Sequence, residues 1–522
     1  MDTRQNRLLV RPDTMSEQDL IQQIGNTRPL APQQSYRKRL SFCDTFDWRL
    51  FQKGFVLEQT GSEYRFRAMA DTVSAVAEEG SPTARFWWDF PDGPLQRALK
   101  PILGVRALIR LATIVMAVRP FCVLNEDEKT VARLFWEDVH LIRGRRKEPL
   151  YSAIVVAEVR GYTAEFGTLV QGLHAQGVSE PTQDAFHTAL HAVGRSPGDY
   201  TSKLVLDLPP DASGRQAAAV ILKHLLNTMQ QNVGGILADI DAEFLHDFRV
   251  AVRRTRSVLS QVKGVFPKAE LQRFRQEFSA LGKLTNRPRD LDVYLLNKDD
   301  YKAMLPGSLR QNLDPLFGQL ARERVGTYQK LGQALKGAAY RRLVADWESF
   351  LNATDEALGP SKHAQMPALD LALRFIRKQY RKVIKLGRAI DDATPDSALH
   401  DLRIECKKLR YLLEFFASLF SAKDIGNLVS QLKKLQDNLG DFNDLCVQQA
   451  DLGRYLETGV PGRENVPLTA AAVGGLIGTL YRKQQTVRGT FSATFKAFAG
   501  RETGFLFQSV FETPTSVRED RT

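Results

Sequence analysis

The chain has 522 residues, with 72 Lys and Arg against 60 Asp and Glu, and its formal net charge at pH 7 is +12. A hydrophobic content of 43% supports packed cores and excludes wholesale disorder, while the length is too great for one ordinary core. The positive charge predicts a polyanionic partner or an acidic membrane surface, but charge alone does not choose between polyphosphate, nucleic acid and lipid.

The cysteines and the apolar runs favour a cytoplasmic protein. Cys43, Cys122, Cys406 and Cys446 are widely spaced and form no C-x-x-C pair, so we expect reduced thiols rather than a zinc site or disulfides. Residues 1–15 lack the apolar core of a signal peptide. No run reaches the roughly eighteen apolar residues that a membrane span requires, so no membrane partner is predicted.

Residues 1–200 are predicted to form an antiparallel β domain. Short alternating runs rich in aromatic and β-branched residues predict strands at residues 63–69, 85–90, 131–136 and 153–159. Residues 169–193 are predicted to be helical, and the Pro, Gly and Ser content of residues 201–215 is typical of a linker.

This domain resembles the CYTH or triphosphate-tunnel family, an antiparallel barrel, through FCDTFDWRLFQKGFVLE at residues 42–58 and DFPDGPLQRALKPILGVRAL at residues 89–108. An active tunnel enzyme needs a Glu-x-Glu-x-Lys motif on its first strand, because two carboxylates must hold the divalent metal. The equivalent residues here, 7–10, contain no acid, and Glu158 alone remains of a second acidic pair. We therefore expect a catalytically degenerate barrel, with a metal-dependent triphosphatase as the alternative.

Two similar basic motifs lie in the C-terminal part, HDFRVAVRRTRSVL at residues 246–259 and HDLRIECKKLRYLL at residues 400–413. Each places a histidine and basic residues at offsets 0, 3, 7, 8 and 10. Offsets 0, 3, 7 and 10 fall within roughly 80° on a helix, so each motif predicts a helix with one cationic stripe and an apolar side for burial. A solvated helix face is the simpler alternative, but only Glu405 interrupts the stripes, so neutralisation within them is poor.

The similarity extends beyond these helices. LGKLTNRPRDLDVYL at residues 281–295 corresponds to LKKLQDNLGDFNDLCV at residues 432–447, and the separation changes only from 154 residues at the histidines to 151 here. A period of this length indicates a duplicated domain half rather than a solenoid repeat. We predict halves at residues 216–360 and 366–512 within a domain of residues 216–512, followed by a tail at 513–522.

A further basic helix is predicted at residues 371–390, LALRFIRKQYRKVIKLGRAI, which contains no acid. Its basic side chains recur within an arc of roughly 100°, and blocks of like charge typically mark interaction surfaces. The corresponding helix of the first half, at residues 216–237, supplies only Lys223 and His224 near the matching positions. We therefore expect the ligand surface to be more basic on the side of the second half.

The two motif copies resemble the CHAD family, the conserved-histidine α-helical domain. The resemblance implies two antiparallel four-helix bundles related by a pseudo-twofold, giving an α+β multidomain chain overall. It also implies a basic channel that binds inorganic polyphosphate, with polyphosphate granules as location and granule proteins as further partners. The candidate ligands are His246, Arg249, Arg253, Arg254, Arg256, Lys283, Arg374, Arg377, Lys378, Arg381, Lys385, His400, Arg403, Lys407, Lys408, Arg410 and Lys434.

No catalytic residue, metal ligand or cofactor is predicted for the helical domain. A lone motif histidine more often hydrogen-bonds a backbone group or an anion than a metal, and Asp290 and Asp292 are predicted to act structurally. Nucleic-acid binding is the alternative partner class. It is less favoured because single-strand binders interleave aromatic residues with basic ones, and only Tyr380 and Tyr411 accompany these stripes.

Overall fold

A computed structural model describes residues 5–10, 16–70, 75–457 and 466–511; the predicted tail lies outside these ranges. The chain divides into two compact units, Met1–Ser202 and Lys203–Thr522, which are described separately. Within the described ranges no helix combines the length and the apolar character needed to cross a membrane.

The N-terminal unit is built on one antiparallel sheet. Its strands are β1 (Gln5–Val10), β2 (Leu30–Pro32), β3 (Tyr36–Asp44), β4 (Phe55–Thr60), β5 (Glu63–Ala68), β6 (Ala75–Glu79), β7 (Ile109–Leu124), β8 (Thr130–Arg143) and β9 (Arg146–Glu158). The order across the sheet is β1-β9-β8-β7-β3-β4-β5-β6, with β2 beside β7. The antiparallel β domain is confirmed, but the sheet is open: no pairing between β1 and β6 joins its ends among the described strands.

Both faces of the sheet are covered, which explains why its long strands are so apolar. Five helices accompany it: α1 (Glu17–Thr27), α2 (Arg49–Gln52), α3 (Pro94–Leu103), α4 (Thr163–Ala175) and α5 (Ala185–Ala192). Along β8, Leu134 and Trp136 pack in a cluster with residues of α1 and α4, whereas Val139 and Leu141 pack in another with residues of α5. Successive side chains of a strand point to opposite faces, so two cores form.

Two predictions for this unit are wrong. Residues 85–90 form no strand, because the Asp89 carboxylate accepts hydrogen bonds from the backbone N–H groups of Arg85 and Phe86, both at 2.9 Å, and closes a short 3₁₀ turn. The helix predicted at residues 169–193 is instead two helices, α4 and α5, because Gly177 adopts a positive φ of 84° after the end of α4.

The C-terminal unit is helical in its described residues. Its helices are α6 (Gly214–Leu237), α7 (Ala242–Gln261), α8 (Lys268–Leu284), α9 (Asn286–Leu296), α10 (Lys298–Ala303), α11 (Asp314–Lys336), α12 (Ala338–Asn352), α13 (Asp355–Leu358), α14 (Ala368–Arg388), α15 (Asp396–Phe415), α16 (Ala422–Glu457), α17 (Val466–Phe498) and α18 (Arg501–Phe511). The packing repeats: α6 lies on α7 and α7 on α8, as α14 lies on α15 and α15 on α16.

The two halves of this unit share a hydrophobic core. One cluster joins α9, α10 and α11 of the first half to α16 and α17 of the second, and it includes Leu291, Leu316, Leu452 and Leu476. Such a core stabilises the halves only when both are folded, because burial of this apolar surface needs side chains from each.

The packing of α6 against Phe244 of α7 can be tested at two adjacent glycines of α6. A Cβ atom at Gly235 would overlap the ring of Phe244, whereas a Cβ at Gly234 would meet nothing within 4 Å. We predict that Gly235→Ala lowers the free energy of unfolding by about 1–3 kcal/mol through overpacking. Gly234→Ala should raise it by up to about 1 kcal/mol, because alanine favours helix. Urea denaturation of both variants measures this; equal effects would contradict the packing of α6 on Phe244.

Candidate functional site: a basic cluster between α7 and α15

The two motif helices are positioned by their apolar sides. On α7, Phe248 and Val252 are buried and the Asp241 carboxylate caps the N-terminus by accepting from the Glu243 and Phe244 N–H groups. On α15, Leu402 and Leu409 are buried in the same way. Each helix therefore directs its basic stripe away from its own core.

Side-chain contacts join α7 directly to α15. The Arg253 Nε–H donates to the Tyr411 hydroxyl at 2.7 Å, and the Arg254 guanidinium pairs with the Glu414 carboxylate at 2.8 Å. Glu414 also accepts from Arg410 at 2.6 Å, so one carboxylate holds an arginine from each half. The contact brings the two stripes together.

Four basic side chains meet at this contact: Arg249 and Arg253 of α7 and Arg403 and Lys407 of α15, here called the basic cluster. Burial, reinforced by the positive charges of Arg403, Arg253 and Arg249, lowers the pKa of Lys407 to about 7. Burial also lowers the pKa of Arg249, and Arg253 acts in the same direction. The cluster therefore holds like charges close together in a partly desolvated place.

Two arginines of the cluster, Arg249 and Arg403, form hydrogen bonds with neighbouring polar side chains. Arg249 donates to the Thr285 hydroxyl at 3.1 Å and to the Asn286 side-chain oxygen at 2.6 Å. Arg403 donates to the Asp444 carboxylate at 3.1 Å, yet its buried Nε–H has no hydrogen-bond acceptor among the described residues. A buried N–H without a partner is unfavourable, and an anionic ligand would satisfy it.

A second basic surface lies on another side of α15. It is a pocket of about 630 Å³ between the C-terminal end of α7, α14 and α15. The basic side chains that line it are Lys263, Lys378, Arg381, Lys382, Lys385 and Lys408. We call it the α14–α15 pocket.

Glu405 is the carboxylate of this pocket. It accepts from Lys408 at 2.8 Å, from Lys382 at 2.9 Å and from the Gln379 amide at 2.7 Å. Burial opposes ionisation of Glu405, but these three donors outweigh it and hold its pKa below the usual value. Glu405 therefore stays charged and offsets part of the positive charge around it.

The remaining predicted ligands are distributed unevenly. Arg377 donates to the backbone carbonyl of Phe511, which holds it at the end of α18. His400 shares a hydrogen bond of 2.5 Å with Asn443. Arg256 and Arg374, with Lys283 of α8 and Lys434 of α16, have exposed side chains, whereas His246 is half-buried on α7.

Most of the acidic residues that pair with the basic stripes were not predicted from the sequence. Glu414 lies four residues after Arg410, a spacing typical of helical ion pairs, and could have been found. The pairing of Asp444 with Arg403 depends on the packing of α16 against α15. The two residues are far apart in the sequence, so no helical spacing indicates the pair. The buried carboxylate of Asp292 has two partners on α11: it accepts from Arg324 at 2.6 Å and from Tyr328 at 2.5 Å. In the described part of the chain, no group of three or more His, Cys, Asp or Glu side chains is arranged to hold a metal ion.

The chain is similar to several known proteins. It is 26% identical over 213 residues to the uncharacterized proteins MT2285 and Rv2226 of two Mycobacterium tuberculosis strains, which corresponds to 40% of this chain and 39% of their length. The crystal structure of the CHAD domain from the plant Ricinus communis matches 58% of this chain and 96% of that chain, with 25% identity and a TM-score of 0.49.

The structure is also similar to two other solved proteins. PptA from Streptomyces chartreusis matches with 15% identity and a TM-score of 0.43, over 54% of this chain and 99% of that chain. HpAC1 from Hippeastrum, described as having a dominant triphosphatase activity, matches with 14% identity and a TM-score of 0.24, over 38% of this chain and 99% of that one.

The family expected from the two histidine motifs is confirmed. The model of the CHAD domain matches residues 220–452, which include both motif copies, α7 and α15, and the basic cluster between them. Residues 220–452 of the chain therefore match the CHAD domain.

Proposed function

We propose that the helical unit binds inorganic polyphosphate, and that the basic cluster is the centre of the binding surface. The convergence of Arg249 and Arg253 with Arg403 and Lys407 carries this proposal, because like charges so placed repel one another until an anion lies between them. The buried Nε–H of Arg403, a member of the cluster, supports it further as a donor that finds no acceptor among the described residues.

The spacing of the basic side chains suits a linear phosphate chain. Residues one turn apart on a helix are separated by about 5.4 Å along its axis, so successive side chains can contact successive phosphates. Arginine adds paired N–H groups that match phosphate oxygens. The basic residues of the α14–α15 pocket extend the cationic surface around α15.

The aromatic residues near the stripes favour polyphosphate over single-stranded nucleic acid. The Tyr411 hydroxyl is engaged by Arg253, and the ring of Tyr380 stacks on Phe507 with centroids 3.7 Å apart. Base stacking requires an accessible ring face. These two rings already serve packing within the protein, which leaves phosphate contacts as the main source of affinity.

The biological role that fits such a surface is attachment to polyphosphate granules in the cytoplasm, with granule proteins as neighbours. The N-terminal unit is proposed to lack catalysis. On β1 the position expected to carry metal-binding carboxylates holds Arg7, which pairs with Glu137 at 2.7 Å. A metal-binding carboxylate pair is thus replaced by an internal ion pair.

The central prediction concerns polyphosphate affinity. Arg253→Ala/Arg403→Ala should weaken binding of long-chain polyphosphate by at least about tenfold, because each charge-assisted contact contributes roughly 1.5–3 kcal/mol. The dependence of affinity on salt should also become shallower, since fewer phosphates are neutralised. Fluorescence anisotropy over a salt series, with single-stranded DNA as competitor, measures both effects.

The control removes two charges elsewhere. Arg341→Ala/Arg342→Ala changes two exposed arginines of α12 and should leave affinity nearly unchanged. Equal weakening in the two double variants, or full displacement of polyphosphate by equivalent DNA, would show a generally basic protein without a specific polyphosphate site.

The α14–α15 pocket gives a second prediction. Glu405→Gln removes the carboxylate that pairs with Lys382 and Lys408 and keeps a side chain of the same shape. If polyphosphate contacts this pocket, affinity should rise a few-fold, because two lysines become available to the phosphates. Asp424→Asn, at a half-buried position in the first turn of α16, is the control that removes one carboxylate charge elsewhere. Unchanged affinity in Glu405→Gln would limit the site to the basic cluster.

The N-terminal unit gives a third prediction. The full chain should release no phosphate from tripolyphosphate with Mg²⁺ or Mn²⁺, because no carboxylate pair is available on β1 to hold the metal. A malachite-green assay measures this. Metal-dependent release above that of the heat-denatured protein would establish the triphosphatase alternative instead.

A further inference from the structure

Lys407 differs from its counterpart in the first half. Lys407 and Arg253 stand at the same offset, seven residues after His400 and His246. Arg253 donates to the Tyr411 hydroxyl, but the residue that corresponds to Tyr411 in the first half is Ser257, whose hydroxyl accepts from Gln261. Lys407 is half-buried, and its side-chain amine makes no hydrogen bond or ion pair with another described residue.

The charges that face Lys407 come from three helices. Arg249 and Arg253 approach it from α7, and Arg403 lies one turn before it on α15. Asp444 of α16 is the opposing charge, and its carboxylate already accepts from Arg403 at 3.1 Å. Asp290 of α9 is a further acid near the cluster, where it acts on Arg249. The positive neighbours of Lys407 outnumber Asp444, which is shared with Arg403.

This environment disfavours the ammonium form of Lys407. Burial removes water from the amine, and the neighbouring guanidinium groups repel a further positive charge, so its pKa falls to about 7. The neutral amine of Lys407 is therefore populated closer to neutral pH than that of an exposed lysine.

We propose that Lys407 is a proton-coupled ligand, whose neutral amine takes up one proton from solvent when a phosphate chain enters the basic cluster. The inference rests on polyphosphate binding at this cluster, as proposed above. The bound phosphates supply the negative charge that the site lacks, so the ammonium form becomes the stable form in the complex. Polyphosphate binding by this protein is thereby sensitive to pH around neutrality.

Linkage gives the direction of the effect. Below about pH 7 Lys407 is already protonated in the free protein, so binding takes up no proton there and affinity does not change through this group. Above about pH 7 the free amine must gain a proton, and affinity falls by up to about tenfold per pH unit. The fall ends where Lys407 also loses its proton in the complex.

The test counts protons. Isothermal titration of the full chain with long-chain polyphosphate, at about pH 8 in buffers of different ionisation enthalpy, gives the number of protons taken up. Long chains are used because their end groups, which titrate near pH 6–7, are then few. The native protein should take up close to one proton, and its affinity should fall as pH rises above about 7.

Two variants test whether Lys407 is the group that accepts the proton. Lys407→Arg keeps a permanent charge and should bind with little or no proton uptake at this pH and with an affinity nearly independent of pH. Lys407→Met should bind more weakly and also without uptake. Proton uptake that persists in Lys407→Arg would assign the proton to another group and overturn the proposal.

A direct titration of the native protein guards against misfolded variants. The Lys407 side chain, followed by NMR without ligand, should titrate near pH 7, whereas titration near pH 10 overturns the inference even if polyphosphate binds. A different result would show that the proposed function is wrong: the native protein would then not bind polyphosphate selectively at any pH, although Lys407 would still titrate near pH 7.

Discussion

The helical unit depends on a contact that brings positive charges together. Arg253 and Arg254 of α7 reach across to Tyr411 and Glu414 of α15, and these contacts hold the two basic stripes at a short separation. Charge repulsion opposes this arrangement. It persists because the apolar sides of both helices are buried in cores that repulsion between partly solvated side chains is too weak to disrupt.

The acidic residues of the site offset this charge repulsion in some places and not in others. Glu405 neutralises Lys408 and Lys382, and Glu414 neutralises Arg254 and Arg410, so much of the positive charge on the flanks of α15 is already paired. The basic cluster has only the shared carboxylate of Asp444 beside Arg403, with Asp290 near Arg249. The electrostatic imbalance is therefore concentrated where the two halves meet.

The sequence predicted much of this because local patterns determine much of it. Helical periodicity located α7, α14 and α15, and the repeated motif identified α7 and α15 as equivalent helices of two halves. The sequence did not predict that Lys407 would lie in the basic cluster and Lys408 in the α14–α15 pocket, because the pocket depends on how α14 packs. Residues 85–90 failed as a strand since alternation cannot reveal that the Asp89 side chain folds back on the backbone. The open edge of the sheet likewise depends on long-range pairing.

The core shared by the halves has a consequence for the origin of the fold. Leu291 and Leu316 of the first half and Leu452 and Leu476 of the second are buried in one cluster. A chain with one half alone would expose this apolar surface to water and would have to associate with a second copy to cover it. Duplication and fusion of such a self-associating ancestor would join the two copies permanently, and each half could then diverge. A symmetric homodimer would carry the same residue at both places, whereas this chain has a lysine at position 407 and an arginine at position 253.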